Sequence, residues 1–157
     1  MKLHFTIDKQ TLRREDDEML ASYSKNFVRC VFRCEYPWDD MYKYALFSDV
    51  SNKKYIVDLG YGHKVQCKIP CDVLKGNFFS VSVFGGNRLT TNQESIILES
   101  SGFSDSVESL LNSINSDSDI LTTSADTVDT DRPRLVTCFH GFTILKNPQR
   151  EEHLYYY

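Results

Sequence analysis

The stretch from Val65 to Phe103 constrains the fold most, because it holds two β-type runs joined by a glycine-centred turn. The run Phe78–Phe84 alternates apolar residues with serine, which is typical of a strand that buries one face. Gly85-Gly86-Asn87 predicts a hairpin turn, since glycine and asparagine tolerate the positive φ values that tight turns need. Ser95–Leu98 predicts the return strand, so the stretch indicates an antiparallel hairpin with one buried face.

Similar apolar runs recur over the first hundred residues, and the ten Phe and nine Tyr of the chain also favour strands. Further strands are predicted at Met1–Ile7, Asn26–Tyr36, Tyr42–Phe47, Lys54–Leu59 and Val65–Ile69. The charged run Asp8–Leu20 is interpreted as an exposed turn, and Pro70–Gly76 as a single helical turn. Short strands at this spacing predict a mainly β fold, an antiparallel Ig-like β-sandwich whose strand order the pattern does not give.

The chain changes character after the β-rich part, and we divide it into three segments. Residues 1–103 are predicted to form the Ig-like sandwich. Residues 104–131 carry seven Asp or Glu residues and no Lys or Arg, which predicts a short helix followed by an acidic linker. Residues 132–157 return to β character and form a candidate docking arm.

The helix after the sandwich has both a start signal and an apolar stripe. Ser104 or Asp105 is a suitable N-cap residue, because a short polar side chain accepts a hydrogen bond from the first free backbone N–H groups. The apolar positions at helical spacing are Val107, Leu110, Leu111 and Ile114. A stripe of three turns is marginal alone, so we expect it to pack on the sandwich or on copies of itself. Ser116–Asp131 then forms the acidic linker.

Charge and hydropathy argue against two classes of partner. The net charge of −4 provides no clustered basic face for nucleic acid. No apolar run approaches the roughly 20 residues that a membrane-spanning helix needs. The first ten residues carry several charges and no hydrophobic region of a signal peptide. We therefore expect a protein made in a cytoplasm, with neither nucleic acid nor membrane as its partner.

Five cysteines raise the question of a zinc site, because Cys30 and Cys34, and likewise Cys67 and Cys71, are separated by three residues. On a strand, however, the first two sulfurs lie about 13 Å apart, which is too far for one metal ion. Disulfides are not expected in a chain without a secretory signal. Buried, reduced thiols are the interpretation we favour, with Cys138 as a fifth packing cysteine.

The remaining motifs that resemble functional sites also have simpler interpretations. Cys138-Phe139-His140 places a thiol near an imidazole, but no third group that would orient the histidine is identifiable. Gly85-Gly86-Asn87-Arg88 lacks the Lys-Ser/Thr ending of a phosphate loop. Paired acids occur at Asp16/Asp17, Asp39/Asp40 and Asp117/Asp119, without the glycine and distal glutamate of a calcium loop. We therefore predict no catalytic residue, no metal site and no cofactor.

The last four residues, Leu154, Tyr155, Tyr156 and Tyr157, form a candidate partner-binding segment. Three adjacent tyrosines are costly to leave in solvent, and tyrosine is common at protein interfaces. The alternative is that the segment folds back onto its own sandwich.

The central stretch resembles a family of structural proteins from phages and prophages of Gram-positive, often gut, bacteria. The main block is Asn77–Gly86, which reads NFFSVSVFGG, followed by Arg88–Asn92, which reads RLTTN. Shorter matches lie at Asp8–Arg14, Ser24–Asn26, Lys43–Phe47, Cys67–Pro70, Asp72–Lys75 and Ser100–Phe103. The likeness covers about residues 1–103 and differs from the family at Cys71, where a tryptophan is usual.

This resemblance implies a non-enzymatic virion structural protein of tail, baseplate or fibre type, made in the host cytoplasm. Its partners would be other virion proteins or further copies of itself. One alternative is a capsid-bound head fibre or decoration protein. Another is a carbohydrate-binding sandwich that recognises the host surface through exposed rings such as Trp38, Tyr61 or the terminal tyrosines. A cysteine hydrolase based on Cys138 is the least favoured alternative.

Overall fold

The computed structural model describes residues 1–24, 28–86, 89–115, 142–148 and the backbone of 134–139. Within these ranges the fold is mainly β, with one α-helix, α1 (Asp105–Asn115), and short 3₁₀ helices at Trp38–Asp40 and Cys71–Lys75. The first strands are β1 (Lys2–Asp8), β2 (Thr11–Arg14), β3 (Arg29–Cys34), β4 (Lys43–Ser48), β5 (Lys54–Gly60) and β6 (Lys64–Lys68). The later strands are β7 (Phe78–Gly85), β8 (Leu89–Thr90), β9 (Glu94–Ile97), β10 (Arg134–Phe139) and β11 (Phe142–Lys146).

The strands form two sheets that pack in a β-sandwich-like arrangement. The smaller sheet has the order β2-β1-β3-β6, and the larger has the order β10-β11-β5-β4-β7-β8, with β9 also paired to β7. Both sheets are mixed, because β1 pairs with β3 in parallel and β11 pairs with β5 in parallel. The expectation of a purely antiparallel sandwich is therefore not met. Parallel neighbours need a long connection, and hydrophobic alternation gives no information about where such a connection returns.

The core lies between the sheets and consists of alternate residues of each strand. Leu3, Phe5 and Ile7 of β1 are fully buried, as the alternation of the first strand predicts. The rings of Phe5 and Phe32 stack across the parallel pair, with centroids 5.2 Å apart. In the larger sheet the predicted inward face of β7 is likewise buried, and β7 pairs antiparallel with β8 and β9, which confirms the predicted pairing for the described residues. Ser80 and Ser82, which the alternation places in solvent, are buried as well, so the prediction of a single buried face is wrong.

The charged run Asp8–Leu20 is predicted to be an exposed turn, and this prediction is wrong for part of the run. It contains β2, which forms an edge of the smaller sheet and buries Leu12 in the core. An edge strand needs only one protected face, so charged neighbours such as Arg13 remain in solvent. The helical turn Cys71–Lys75, by contrast, is where the sequence places it, between Pro70 and Gly76.

The corner after β3 is held by two buried polar side chains. Trp38 is completely buried, and its indole N–H donates a hydrogen bond to the Lys9 carbonyl at 2.6 Å. Lys43 is also completely buried, and its Nζ donates to the carbonyl oxygens of Trp38, Met41 and Gly62 at 2.9–3.0 Å. An ammonium has three N–H donors, so this arrangement uses all of them. The contacts join the corner to the turn between β5 and β6.

The segment Thr90-Thr91-Asn92, which follows β7 and its turn, has a structural role. The side chain of Asn92 accepts a hydrogen bond from the Leu12 N–H at 2.7 Å and donates one to the Leu12 carbonyl at 3.2 Å. The Thr91 hydroxyl accepts a bond from the Val83 N–H at 3.0 Å, while the Thr91 N–H donates to the Val83 carbonyl. These two residues therefore join β2 and β7, strands of different sheets.

The turn that follows β7 requires glycine at two positions. Gly86 has a φ of +50°, in the region that favours residues without a side chain. A Cβ atom on Gly85 would lie 2.7 Å from the Tyr42 carbonyl oxygen, so only glycine allows this close approach of the two strands. Asn87 and Arg88 of the predicted turn lie outside the described residues.

Candidate functional site

The side of the larger sheet that faces away from the core carries a row of half-buried apolar side chains that its register brings together. Leu46 of β4 lies opposite Ile56 of β5, which lies opposite Ile144 of β11. The next row pairs Tyr44 with Phe84 of β7. We call the outer face the surface formed by Tyr44, Leu46, Ile56, Phe84, Phe142 and Ile144, all of them half-buried. Their neighbours in each strand point into the core, so both faces of these strands are apolar.

An aromatic cluster borders the outer face. The rings of Tyr44 and Phe84 are stacked, with centroids 5.2 Å apart and planes inclined by 17°. Tyr42 contacts Tyr44 at 5.2 Å and Tyr61 at 5.4 Å, the latter edge to face. The stacked contact between Tyr44 and Phe84 covers one face of each of these two rings.

Two charged groups on this side of the sheet, Lys54 and Asp58, are hydrogen-bonded. Lys54 Nζ donates to the Ser48 hydroxyl at 2.8 Å and to the Asn52 side-chain oxygen at 2.9 Å. The Asp58 carboxylate accepts from the Tyr42 hydroxyl at 2.9 Å and from the backbone N–H of Asn147 at 2.7 Å. When another protein covers such hydrogen-bonded charges, the desolvation free energy is smaller than for isolated charges.

A second apolar surface is the stripe of α1. The Ser104 side-chain oxygen accepts from the Val107 N–H at 3.4 Å, which confirms one of the two predicted N-caps. The side chains of Leu110, Leu111 and Ile114 are 60, 42 and 54 % exposed. The expected stripe therefore exists, but within the described part of the chain it is not packed on the sandwich.

Lys75 holds the first turn of α1 at one end of the sandwich. Its Nζ lies 3.5 Å from Asp105, 3.9 Å from Glu108 and 3.7 Å from Asp72. Partial burial alone would lower the pKa of Lys75, but these carboxylates outweigh it and raise the pKa. Beside Lys75 lies an open cleft of about 450 Å³ that also contacts Tyr23. A lysine that stays protonated and ion-paired positions the helix and is a poor nucleophile or base.

Among the side chains that the structure describes, the cysteines do not come together as the spacing of a zinc site would require. Cys30 and Cys67 are neighbours across β3 and β6, whereas Cys34 lies near His63, whose carbonyl accepts its N–H. No group of three or more His, Cys, Asp or Glu side chains within the described residues could hold a metal ion. Burial raises the pKa of Cys34 to about 11, and it raises the pKa values of Cys30 and Cys67 as well. These thiols are therefore protonated packing residues at neutral pH.

The other residues singled out in the sequence have different outcomes. Trp38 is buried, so the idea that its ring faces a ligand is wrong. Tyr61 belongs to the aromatic cluster and is half-buried. The Cys138–His140 pair falls outside the described side chains, and Leu154, Tyr155, Tyr156 and Tyr157 lie outside the described residues, so their roles stay predictions. The outer face was missed, although consecutive apolar residues over Tyr44–Phe47 are a signal of a strand buried on both faces.

Comparison with known proteins adds no further constraint on the site. No protein-family model matches this chain, and no curated protein matches it either. Each helix in the described ranges is too short or too polar to cross a membrane.

Proposed function

We propose that this chain is a non-enzymatic structural protein of a bacteriophage particle, of tail, baseplate or fibre type, and that its outer face binds another subunit of that particle. The observation that carries this proposal is the outer face itself, a broad apolar and aromatic surface on a hydrogen-bonded sheet. The resemblance of residues 1–103 to virion structural proteins supports the same function.

The composition of the outer face is that of a protein-binding surface. Interface centres are enriched in tyrosine and phenylalanine and depleted of charge. Its side chains are half-buried in the described structure, and burial of their remaining accessible apolar surface would contribute about 25 cal/mol per Å². Leu46, Ile56 and Ile144 lie at its centre, so they are the residues whose burial would contribute most.

The chemistry of the described titratable groups supports binding over catalysis. A cysteine nucleophile acts as a thiolate, and the pKa of about 11 keeps Cys34 protonated at neutral pH. Lys75 is engaged by three carboxylates, as described above.

Two alternatives remain proposals with separate tests. A capsid-bound head fibre or decoration protein would use the same surface against a different neighbour, and labelling of heads rather than tails would identify it. A carbohydrate-binding function would need ring faces for sugars to stack on, and one face each of Tyr44 and Phe84 is covered by the other ring. A measurable glycan affinity that depends on Tyr61 would favour it.

The Ig-like class of the sandwich is also part of this proposal. The two-sheet arrangement and the short strands support it, while the parallel pairs β1–β3 and β5–β11 depart from the antiparallel form that we expected. An experimental structure with the strand order of an Ig domain would establish the class.

The proposal is tested by analysing purified phage particles by mass spectrometry. We expect peptides of this chain in the particles, and we expect a Leu46→Asp variant to be incorporated much less than the natural chain. Met19→Asp is the matched control, because Met19 is 62 % exposed and lies outside the outer face. Particles that contain none of this polypeptide would refute the proposed function, and equal incorporation of both variants would refute the role of the outer face.

A further inference from the structure

The cleft beside Lys75 has a buried polar side chain in its wall. Its volume of about 450 Å³ lies within the range of about 300–1,000 Å³ that small-molecule sites occupy. The side chain of Tyr55 lines this cleft and is only 3 % exposed. We propose that the cleft binds a small neutral polyhydroxy compound, a sugar unit, and that the Tyr55 hydroxyl bonds to one of its hydroxyl groups. The cleft shares no residue with the outer face, so this inference does not rest on the proposed function.

The Tyr55 hydroxyl is the group that points to a ligand. It makes no hydrogen bond with the residues that the structure describes. Burial, and then the carboxylates of Asp72 and Asp49, raise the pKa of Tyr55 to about 12, so the phenol keeps its proton at neutral pH. Both carboxylates line the cleft, which places the hydroxyl beside it. Buried polar groups of folded proteins are nearly always hydrogen-bonded, so this hydroxyl is available to a polar ligand that enters the cleft.

The charged groups around the cleft favour a neutral ligand over an ion. Three aspartates and two lysines line it, so an anion and a cation would each meet charges of their own sign. Lys75 already lies 3.5 Å from Asp105 and 3.7 Å from Asp72. The Asp49 carboxylate accepts two backbone N–H groups at 2.8 and 2.9 Å, and the Lys53 ammonium lies 5.5 Å from the centre of the Tyr55 ring. The described acidic side chains do not form a group that could hold a metal ion.

A hydroxyl group suits such mixed surroundings, because it is neutral and can both donate and accept. It donates to a carboxylate, accepts from an ammonium, and takes either role toward the phenol of Tyr55. An apolar ligand would instead cover these polar groups without replacing their hydrogen bonds to water. A compound with several hydroxyls therefore uses more of this cleft than any other neutral ligand.

The ring of Tyr23 adds an apolar surface for the C–H groups of a sugar. It lines the cleft, and its contact with the Phe103 ring is tilted by 57° at a centroid distance of 5.6 Å. A tilted contact, unlike a stacked one, does not cover a ring face. The cleft thus combines a ring, a buried hydroxyl and charged groups of both signs. The sugar unit can be a free sugar or part of a polysaccharide, and the test separates these two sources.

The test compares the full natural chain with Tyr55→Phe, which removes only the hydroxyl. Because this hydroxyl has no partner among the described residues, the variant should keep the melting temperature of the natural chain. Tyr36→Phe is the matched control, since Tyr36 is 81 % exposed and does not line the cleft. If Tyr55→Phe does not fold by circular dichroism, Asp72→Asn replaces it, at a side chain that is 60 % exposed.

Two assays supply the two sources of sugar. Ligand-observed NMR measures binding of free glucose, galactose and N-acetylglucosamine, and an oligosaccharide array measures binding of sugar units within longer chains. We expect the natural chain and Tyr36→Phe to bind in at least one assay. Tyr55→Phe should bind about tenfold more weakly, which corresponds to the loss of one hydrogen bond.

The pattern of binding identifies the source of the ligand. Binding of free sugars supports the inference with a free sugar as the ligand, and binding on the array alone supports it with a polysaccharide. A natural chain that binds in neither assay would overturn the inference, as would equal binding by the natural chain and Tyr55→Phe. The proposed function would survive either of these results if the chain is still found in phage particles.

Discussion

Replacing Lys43 with methionine should destabilise the protein, because this side chain connects three backbone carbonyls inside the fold. Lys43 is 0 % exposed, and its Nζ donates to Trp38, Met41 and Gly62. Methionine has nearly the same length and fills the same space, but it has no donor. The substitution therefore isolates the hydrogen bonds from the packing of the side chain.

The expected loss in the free energy of unfolding follows from the carbonyl oxygens that lose the Lys43 donor. The Trp38 oxygen also accepts a hydrogen bond from the Met41 N–H at 3.2 Å and keeps that bond in the variant. The substitution therefore affects mainly the carbonyl oxygens of Met41 and Gly62. These two carbonyls are partly buried, and a polar group left without its hydrogen bond inside a protein costs up to about 1–3 kcal/mol. Removal of a buried charge offsets part of this loss, and we expect a net destabilisation of about 2–4 kcal/mol. For a chain of this size the melting temperature should fall by roughly 4–16 °C.

Thermal and urea unfolding, followed by circular dichroism, measure this effect. Lys64→Met is the matched control, because Lys64 is an exposed lysine at the start of β6 and its loss should change stability by less than about 0.5 kcal/mol. A melting temperature of Lys43→Met equal to that of the natural chain, or equal losses in both variants, would refute the reasoning.

Three further changes have expected outcomes that unfolding experiments check. Asn92→Ala removes the paired hydrogen bonds to β2 and should cost about 1–3 kcal/mol, whereas Gln93→Ala, at the exposed next position, should cost little. Gly85→Ala places a Cβ 2.7 Å from a backbone oxygen and should cost about 1–3 kcal/mol, whereas Gly102→Ala meets no atom within 4 Å; equal melting temperatures would contradict this. Burial alone would raise the pKa of Asp16, but hydrogen bonds from a neighbouring arginine and from backbone amides hold the pKa below 3.8. Its stabilising contribution is thus present above about pH 4 and lost as the pH falls through the lowered pKa, and Asp16→Asn should weaken this acid dependence.

Local patterns predicted many elements of the fold, because each depends on neighbouring residues. The strand β7, the helical turn Cys71–Lys75 and the Ser104 cap all follow from periodicity or capping rules. Strand β2 was missed, since one buried leucine, Leu12, among charges does not produce a recognisable alternation.

Pairing between distant strands could not be predicted in the same way. The parallel neighbours β1–β3 and β5–β11 depend on where long connections return, and the functions of Lys43 and Asn92 depend on carbonyls far away in sequence. The outer face needed the register of four strands before Leu46, Ile56 and Ile144 were known to be neighbours.

The most direct test of the outer face as a binding surface is photo-crosslinking within assembled phage particles. A photoreactive amino acid replaces Leu46, or Met19 as the control, and the conjugates are identified by mass spectrometry. We expect covalent conjugates with a particle subunit from position 46 and none above background from position 19. Conjugates from both positions in equal yield, or from neither in particles that contain the chain, would contradict the assignment of the outer face as the surface that joins this protein to its partner.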